Sequence, residues 1–415
     1  MKPTDDYQQI NDTQAEQTAK PPEAKLPEAK RRSRAGNNQR TRRLLLAVLW
    51  PLPALLAFSG QRLLATVPDF VEKWHAQRLF RLLSVPVSWL TSKVPVSLTE
   101  IGALLGIPLL LALLVLFIIR TVRRPGQRLT RLGWLGRTLA WTISLLYLVF
   151  MLLHGFNYAR QPVAVSFDLP VRERSGEELA EAADWMIQQI NAMRPTLPEN
   201  EAGVFTVRES IRQKLKTADA GYHAAAAEYP LLAGHPVRVK AVFASPYWSY
   251  TGISGMYFPF FVEANVNIDM PHHQVLDSAM HEIAHLRGFA REDEANFLAF
   301  LTGLYHPDPD YRYAALLSTA NRSLNALYRS DRELHAELLG RLHEAPRRDL
   351  QAAAAYWRQF EGPVREASTT VNHAYLQANL QEDGVRSYGR MVDLALAWYE
   401  QTRDAGQLEF FEIES

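Results

Sequence analysis

Long apolar stretches alternate with basic loops in the first third of the chain, and a more polar pattern follows. The stretch 98–119 is an apolar run of the roughly 20 residues needed to cross the hydrocarbon core of a bilayer. The stretches 44–65 and 134–156 are also mainly apolar, although two prolines fall in the first of them. Membrane helices tolerate prolines better than soluble helices do. The pattern therefore predicts a membrane domain over 44–156 with three transmembrane helices.

The N-terminal segment 1–43 is polar, charged and rich in proline, and it repeats the sequence Pro-Glu-Ala-Lys. Such a composition predicts disorder, because it cannot bury enough apolar surface to offset the ordering entropy. A signal peptide is the alternative for 44–65, but the leader would be unusually long and no small-x-small site follows. The basic end of the leader adjoins an apolar stretch. We therefore favour a membrane flank over a nucleic-acid arm and predict no nucleic-acid partner.

Basic residues indicate the orientation in the membrane. The leader and the loop 120–131 are both strongly positive, and positive flanks stay in the cytoplasm. With three spans these two segments lie on the same side. The sequence thus predicts a multi-pass protein of the cell membrane, with the lipid bilayer as a partner. Its N-terminus is cytoplasmic and its C-terminal part, from about Asn157, is extracytoplasmic.

The remaining chain, 157–415, has the pattern of a soluble domain that is mainly helical with a small sheet. From Pro271 onward the sequence is helical almost to its end, with breaks at glycines and prolines. The expected fold class is therefore mainly α, with an α+β domain following the membrane helices. Helical patterns occupy 175–194 and 206–229, and strand patterns occupy 237–243 and 256–268.

One stretch of this domain carries a pattern typical of metal chemistry, the HExxH sequence of His281, Glu282 and His285. Positions i and i+4 share one face of a helix, so both imidazoles can reach one cation. The chain has no cysteine, so a Zn²⁺ ion would need His and carboxylate ligands. Glu282 would lie beside a water held by the cation and take its proton during attack on a carbonyl. Gly288 would end the helix and let the chain turn back.

The third ligand is expected just after Gly288. The metzincin spacing would place a histidine at position 291, but Arg291 stands there and a guanidinium does not bind zinc. Glu292 and Glu294 are the alternatives. Asn296 follows Glu292 by four residues, an arrangement typical of glutamate zincins in which the later residue orients a ligating histidine. This favours Glu292, and Glu294 remains open.

Two further features bear on peptide hydrolysis. The segment 255–267, just before the metal helix, is either an edge strand that pairs with an extended peptide or an ordinary core strand. Stabilisation of an oxyanion usually requires a Tyr, His or Arg side chain. Tyr388 is the first candidate for that role and Arg386 the second, although an aromatic core position would also explain Tyr388.

Several motifs together resemble an uncharacterised bacterial family of membrane proteins with the features of zinc metallopeptidases. They are HEIAHLRGFAREDEANFLAFL, GISGMYFPF with EANVN, VNHAYLQANLQEDGVRSYGRMV, the PVS motifs before the second span and GFNYAR after the third. The resemblance covers about residues 60–400. It implies a membrane-anchored, zincin-like domain of the glutamate-zincin type, and it implies no particular substrate.

These patterns lead to two functional hypotheses. The first is a membrane-anchored zinc metallopeptidase that cuts a peptide or protein substrate, with His281, His285 and Glu292 as ligands and Glu282 as base. The alternative is a non-catalytic membrane receptor or envelope scaffold that binds zinc.

Overall fold

The computed structural model describes residues 48–379, 381 and 390–411. The chain forms two units, Met1–Trp50 and Pro51–Ser415, and all the elements below belong to the second. The tail predicted to be disordered, 1–43, lies outside the described residues, as do the first residues of the 44–65 stretch. Arg386 and Tyr388 also lie outside them.

Helices make up most of the described chain. The N-terminal ones are α1 (Pro51–Leu64), α2, α3 (Leu98–Val122) and α4 (Arg128–Leu153), where α2 comprises the consecutive stretches Pro68–Phe70, the π-helical Val71–Phe80, and Arg81–Ser92. The others are α5 (Val163–Ser166), α6 (Gly176–Met193), α7 (Ile211–Lys214), α8 (Ala220–Ala225), α9 (Ser245–Thr251), α10 (His272–Leu286), α11 (Glu292–Leu304), α12 (Pro309–Ser330), α13 (Arg332–Arg341), α14 (Glu344–Arg358), α15 (Pro363–Ala378) and α16 (Arg390–Asp404).

A small sheet of three strands accompanies the helices, so the predicted mainly helical class with a small sheet is confirmed. β3 (Glu263–Asn267) is central, with β1 (Lys240–Val242) parallel on one side and β2 (Gly255–Phe258) antiparallel on the other. β1 falls inside the first predicted strand. The second predicted strand is instead a hairpin, because the chain reverses at Pro259–Val262 and Val262 has a positive φ of 49°.

Two helical stretches are long and apolar enough to cross a bilayer, namely α3 and the stretch Pro125–Leu153 that contains α4. The prediction of three such helices is wrong for the described residues. In the first predicted span the structure describes only α1, which has 14 residues. At 1.5 Å per residue it measures about 21 Å, against about 30 Å for the hydrocarbon core.

The sheet, the first turn of α3 and the last turn of α4 meet next to α10. Ser97 caps α3 and donates a hydrogen bond to Asn265 of β3 at 2.6 Å. The Tyr257 hydroxyl of β2 donates to the carbonyl of Leu153 at the end of α4, at 3.1 Å. The apolar helices are therefore joined directly to the part of the domain that carries the HExxH motif. Behind it, α10, α11 and α12 pack together as the centre of the hydrophobic core.

Candidate metal centre

Helix α10 presents the HExxH side chains from a rigid, buried element. Leu276, Ala279 and Ile283 are fully buried along one stripe of the helix. Helical spacing then places His281 and His285 on the adjoining face, where both face α11. The rigid packing of α10 fixes the position of these imidazoles before any ligand arrives.

Gly288 ends α10 in the manner expected from the sequence. Its φ is +87°, a left-handed conformation that favours glycine. The Gly288 N–H donates to the carbonyl of His285 at 2.9 Å and the Phe289 N–H to that of Ala284 at 3.0 Å, the two hydrogen bonds of a Schellman motif. The chain then turns back, and α11 begins with Glu292 as its first residue.

The structure brings Glu292 to the histidines and places Glu294 elsewhere. The Glu294 carboxylate accepts hydrogen bonds from the Val163 N–H at 2.9 Å and from Arg291 at 2.7 Å. Arg291, which stands where a third histidine would be in a metzincin, also donates to the carbonyls of Tyr158 and Arg160. Arg291 and Glu294 therefore hold the 155–160 segment in place.

The distances within the His281–His285–Glu292 triad suit one small cation. The Nε2 atoms of His281 and His285 are 3.1 Å apart. Glu292 Oε2 lies 3.3 Å from His281 Nε2, and Glu292 Oε1 lies 3.6 Å from His285 Nε2. Ligands about 2.0–2.1 Å from a tetrahedral zinc ion would be about 3.3–3.4 Å from one another. The three observed separations bracket that range, so the donor set fits Zn²⁺.

Hydrogen bonds to the Nδ1 atoms of the two histidines direct their Nε2 atoms toward the space between the three side chains of the triad. His281 Nδ1 is 3.1 Å from the Asn296 side-chain oxygen, and His285 Nδ1 is 2.7 Å from the carbonyl of Phe289. Both partners are acceptors, so each Nδ1 carries the proton and each Nε2 is free to bind a cation. Asn296 is thus in the position predicted for it, and Arg322 donates to the same oxygen at 3.1 Å.

The charges of the triad also favour a cation. Burial lowers the pKa of His285 to about 4, so this imidazole is neutral at pH 7. Burial opposes ionisation of Glu292, but its electrostatic interactions with His285 and His281 and a hydrogen bond to His281 outweigh burial and lower the Glu292 pKa to about 2. Burial would lower the His281 pKa, but hydrogen bonding and attraction to Glu292 raise it instead. A dication at this position would compete with a proton for the Nε2 atom of His281.

Glu282 lies beside the triad and points toward the edge of the sheet. It is 4% exposed, and within the described residues its Oε2 has no hydrogen-bond partner. Burial, aided by the negative charge of Glu292, raises the Glu282 pKa to about 8. Gly255 of β2 passes so close that a side chain there would meet the Glu282 carboxyl group. A buried carboxyl with a free oxygen next to a candidate metal centre is well placed to hold a water molecule.

The site includes side chains that sequence analysis did not assign to it. His154, just after α4, packs edge-on against the His285 ring with centroids 5.8 Å apart, and Tyr257 lies 5.4 Å from His154. Tyr375 of α15 is close enough to Glu292 that the carboxylate adds to the rise in the Tyr375 pKa caused by burial. Two sequence motifs could have indicated these side chains: GFNYAR, which directly follows His154, and NHAY, which ends in Tyr375.

One family of known sequences matches most of this chain. A family described as "Protein of unknown function (DUF3810)" matches residues 75–396. The match spans α3, α4, the sheet and the whole His281–His285–Glu292 triad. No curated protein and no solved structure shows significant similarity. The family description gives no activity, so metallopeptidase identity stays a prediction. Because the match covers most of its length, the chain belongs to this family of proteins of unknown function.

Proposed function

We propose that this protein is a membrane-anchored zinc metallopeptidase. The observation that carries the proposal is the meeting of His281, His285 and Glu292, whose ligand atoms all lie within 4.8 Å of one another, beside the buried carboxyl of Glu282. Two histidines and one carboxylate leave a fourth tetrahedral position open, which is typical of catalytic rather than structural zinc sites.

In this proposal the chemistry is divided between the metal and Glu282. Zinc, when bound, supplies Lewis acidity that polarises a carbonyl and makes water more acidic. Glu282 accepts the proton of the attacking water on its free oxygen and passes it to the leaving amine. A nearby dication favours the ionised carboxylate, which brings the raised pKa of Glu282 down toward the range a base needs at neutral pH. His154 and Asn296 keep the histidine rings in place.

The small sheet supports an extended peptide as the substrate. β2 pairs with β3 on one side, and within the described residues its other side has no partner strand. An extended chain can add to such an edge through backbone hydrogen bonds. Gly255 and Tyr257 of this strand flank Glu282, so a peptide bound there would run past the proposed base.

We propose that a tyrosine hydroxyl, or alternatively an arginine guanidinium, stabilises the negative charge that develops on the carbonyl oxygen of the substrate. Tyr388 is the candidate from the sequence, and Arg386 the second one. Tyr375 joins them because its phenol lies near Glu292. A hydroxyl in such a position can donate a hydrogen bond to an oxygen that becomes negative during the reaction.

We also propose that the chain crosses the membrane three times, with the soluble domain outside the cytoplasm. α1 and α4 run side by side in the same direction, because the Ala54 N–H donates to Ser144 at 2.9 Å and Gly60 packs on Phe156. Parallel first and third helices are what a three-span topology requires. The predicted span 44–65 begins seven residues before α1, and these seven residues carry no charge.

The experiment that tests the catalytic proposal is the Glu282→Gln substitution in the full-length protein. It keeps the size of the side chain but removes the base, so we expect zinc to be retained and hydrolysis of a peptide library to fall about 10²–10⁴-fold. Glu344→Gln, at an exposed position of α14, is the matched control and should leave hydrolysis unchanged. If the native protein binds zinc stoichiometrically but neither it nor Glu282→Gln cuts any peptide, the receptor or scaffold alternative gains.

A further inference from the structure

The C-terminal half of α2, Arg81–Ser92, buries polar side chains and exposes apolar ones, the reverse of a helix on the surface of a soluble protein. Its buried residues are Ser84, Ser88 and Thr91, whereas Leu82 and Leu90 are 70% and 62% exposed. An amphipathic helix on a soluble protein buries its apolar stripe and exposes its polar one. Here the polar stripe faces the protein and the apolar stripe faces away from it.

Specific polar contacts fix this orientation. Ser88 hydrogen-bonds to His235 through Oγ and Nε2, 2.9 Å apart. The ammonium of Lys240, in β1, donates to the carbonyl of Thr91 at 2.7 Å, and the Arg238 N–H donates to Ser92 at 3.3 Å. Rotating the helix to bury its leucines would break all of these bonds, so the outward apolar face belongs to the fold.

The outward face continues into the N-terminal half of α2, where exposed Phe70, Trp74 and Leu79 alternate with the exposed polar residues Lys73, Gln77 and Arg78. Two of its tryptophans form cation–π contacts. The Arg78 guanidinium lies 4.0 Å from the centroid of the Trp74 ring, and the Lys93 ammonium lies 3.3 Å from that of the Trp89 ring. Tryptophans with neighbouring basic residues are enriched where a helix lies at the boundary between lipid and water. The exposed apolar side chains of this face include Phe70, Trp74, Leu79, Leu82, Leu83, Trp89 and Leu90.

The neighbours of α2 indicate what covers this face. α2 follows α1 by three residues and precedes α3 by five, and α3 exposes apolar side chains along its whole length. In the N-terminal half, His75 contacts the carbonyl of Leu152 at the end of α4, at 3.2 Å. In the C-terminal half, Thr91 contacts the sheet beside the start of α3. The N-terminal half of α2 thus lies beside the end of α4, and the C-terminal half lies beside the start of α3. Because the start of α3 and the end of α4 both meet the sheet, α2 runs across this end of the two apolar helices rather than through the membrane.

We propose that α2 lies in the plane of the membrane, with its apolar face in the lipid leaflet next to the soluble domain. The polar side of the helix leads directly to the candidate metal centre. Glu72 pairs with Arg160 at 2.7 Å, and Arg160 donates to the carbonyl of Gly288 at 2.8 Å and lies over the Phe289 ring. The carbonyl of Phe289 in turn holds His285. A continuous series of buried contacts therefore links α2, whose outer face we propose to meet lipid, to the candidate ligand His285.

The experiment exploits the absence of cysteine, which allows single spin labels without background. Full-length Leu82→Cys and Leu90→Cys proteins carry a nitroxide in vesicles of phosphatidylcholine and phosphatidylglycerol, and collisions with oxygen and with a water-soluble nickel chelate are measured. Leu110→Cys in α3 marks lipid, and Glu344→Cys marks water. We expect the labels on α2 to meet oxygen and exclude nickel, as at position 110.

Two results would overturn the proposal. Labels at 82 and 90 that meet nickel as freely as the one at 344 would put this face in water, and labels that meet neither reagent would mean that protein covers it. The measurement needs no metal or activity, so it fails independently of the peptidase proposal. The label at 110 separately reports whether α3 lies in lipid.

Discussion

At the scale of single residues, polar side chains next to the triad hold the His281 imidazole in its orientation. Asn296 contacts His281 and also accepts from Arg322, which lies 3.6 Å from Asp277. This small polar layer ties three helices, α10, α11 and α12, to the orientation of one imidazole ring. Ligand orientation here is a property of helix packing and not only of the HExxH motif.

Replacing Asn296 by Ala should therefore weaken zinc binding without unfolding the protein. Loss of a hydrogen-bond partner behind a metal ligand typically costs about 10–100-fold in metal affinity. Competition with a chromophoric chelator measures that affinity directly. Asn325→Ala, at an exposed position of α12, is the matched control. Equal affinities for the two variants would show that Asn296 does not orient His281.

The three candidate ligands can be proposed from the sequence alone because they lie within twelve residues, two of them on α10 and the third at the start of α11. Local spacing could not separate Glu292 from Glu294. That choice depends on Val163, whose backbone N–H binds Glu294 from 131 residues away. His154 and Tyr375 escaped detection for the same reason, since only the tertiary fold brings them to the triad.

At the scale of elements, the close approach of β2 to α10 controls the position of the proposed base. An ideal Cβ on Gly255 would lie 2.7 Å from Cγ and 2.9 Å from the carboxyl carbon of Glu282, closer than real Cβ contacts. The glycine is required here for proximity, and the strand can be an edge that faces the site only because this position has no side chain.

Gly255→Ala should consequently displace the Glu282 carboxyl group. We expect zinc content to stay unchanged while peptide hydrolysis falls by up to about 10²-fold, the effect of a misplaced catalytic group. Gly340→Ala is the matched control, because nothing lies within 4 Å of a Cβ there and α13 should gain about 0.5–1 kcal/mol. Normal hydrolysis by Gly255→Ala would separate β2 from the reaction.

Element boundaries were predicted best where periodicity is strong. α6 at Gly176–Met193 matches the expected helix 175–194, since its capping box and the prolines after it mark both ends. The expected helix 206–229 is instead reduced to α7 and α8, because the chain between them forms turns, in which the Thr217 N–H donates to the carbonyl of Lys214 at 3.1 Å and the Ala220 N–H to that of Thr217 at 3.0 Å. The sequence predicts one strand where the structure has the β2–β3 hairpin, since the aromatic residues of the turn continue the apolar pattern.

At the scale of the whole molecule, the number of spans decides on which sides of the membrane the two termini lie. Three spans place them on opposite sides, and two spans place them on the same side. Full-length protein with a reporter at either terminus distinguishes these topologies. We expect a phosphatase that works only outside the cytoplasm to be active at the C-terminus and inactive at the N-terminus. Activity at both ends would mean two spans.

The central claim is that Glu292 completes a zinc site with the two histidines, and the zinc content of the purified full-length protein tests it most directly. We predict about one zinc per chain, lost in Glu292→Gln and kept in Glu294→Gln, with circular dichroism confirming that each variant is folded. Absence of zinc from the native protein, both as purified and after reconstitution, would contradict the account. So would equal zinc content in folded Glu292→Gln and the native protein.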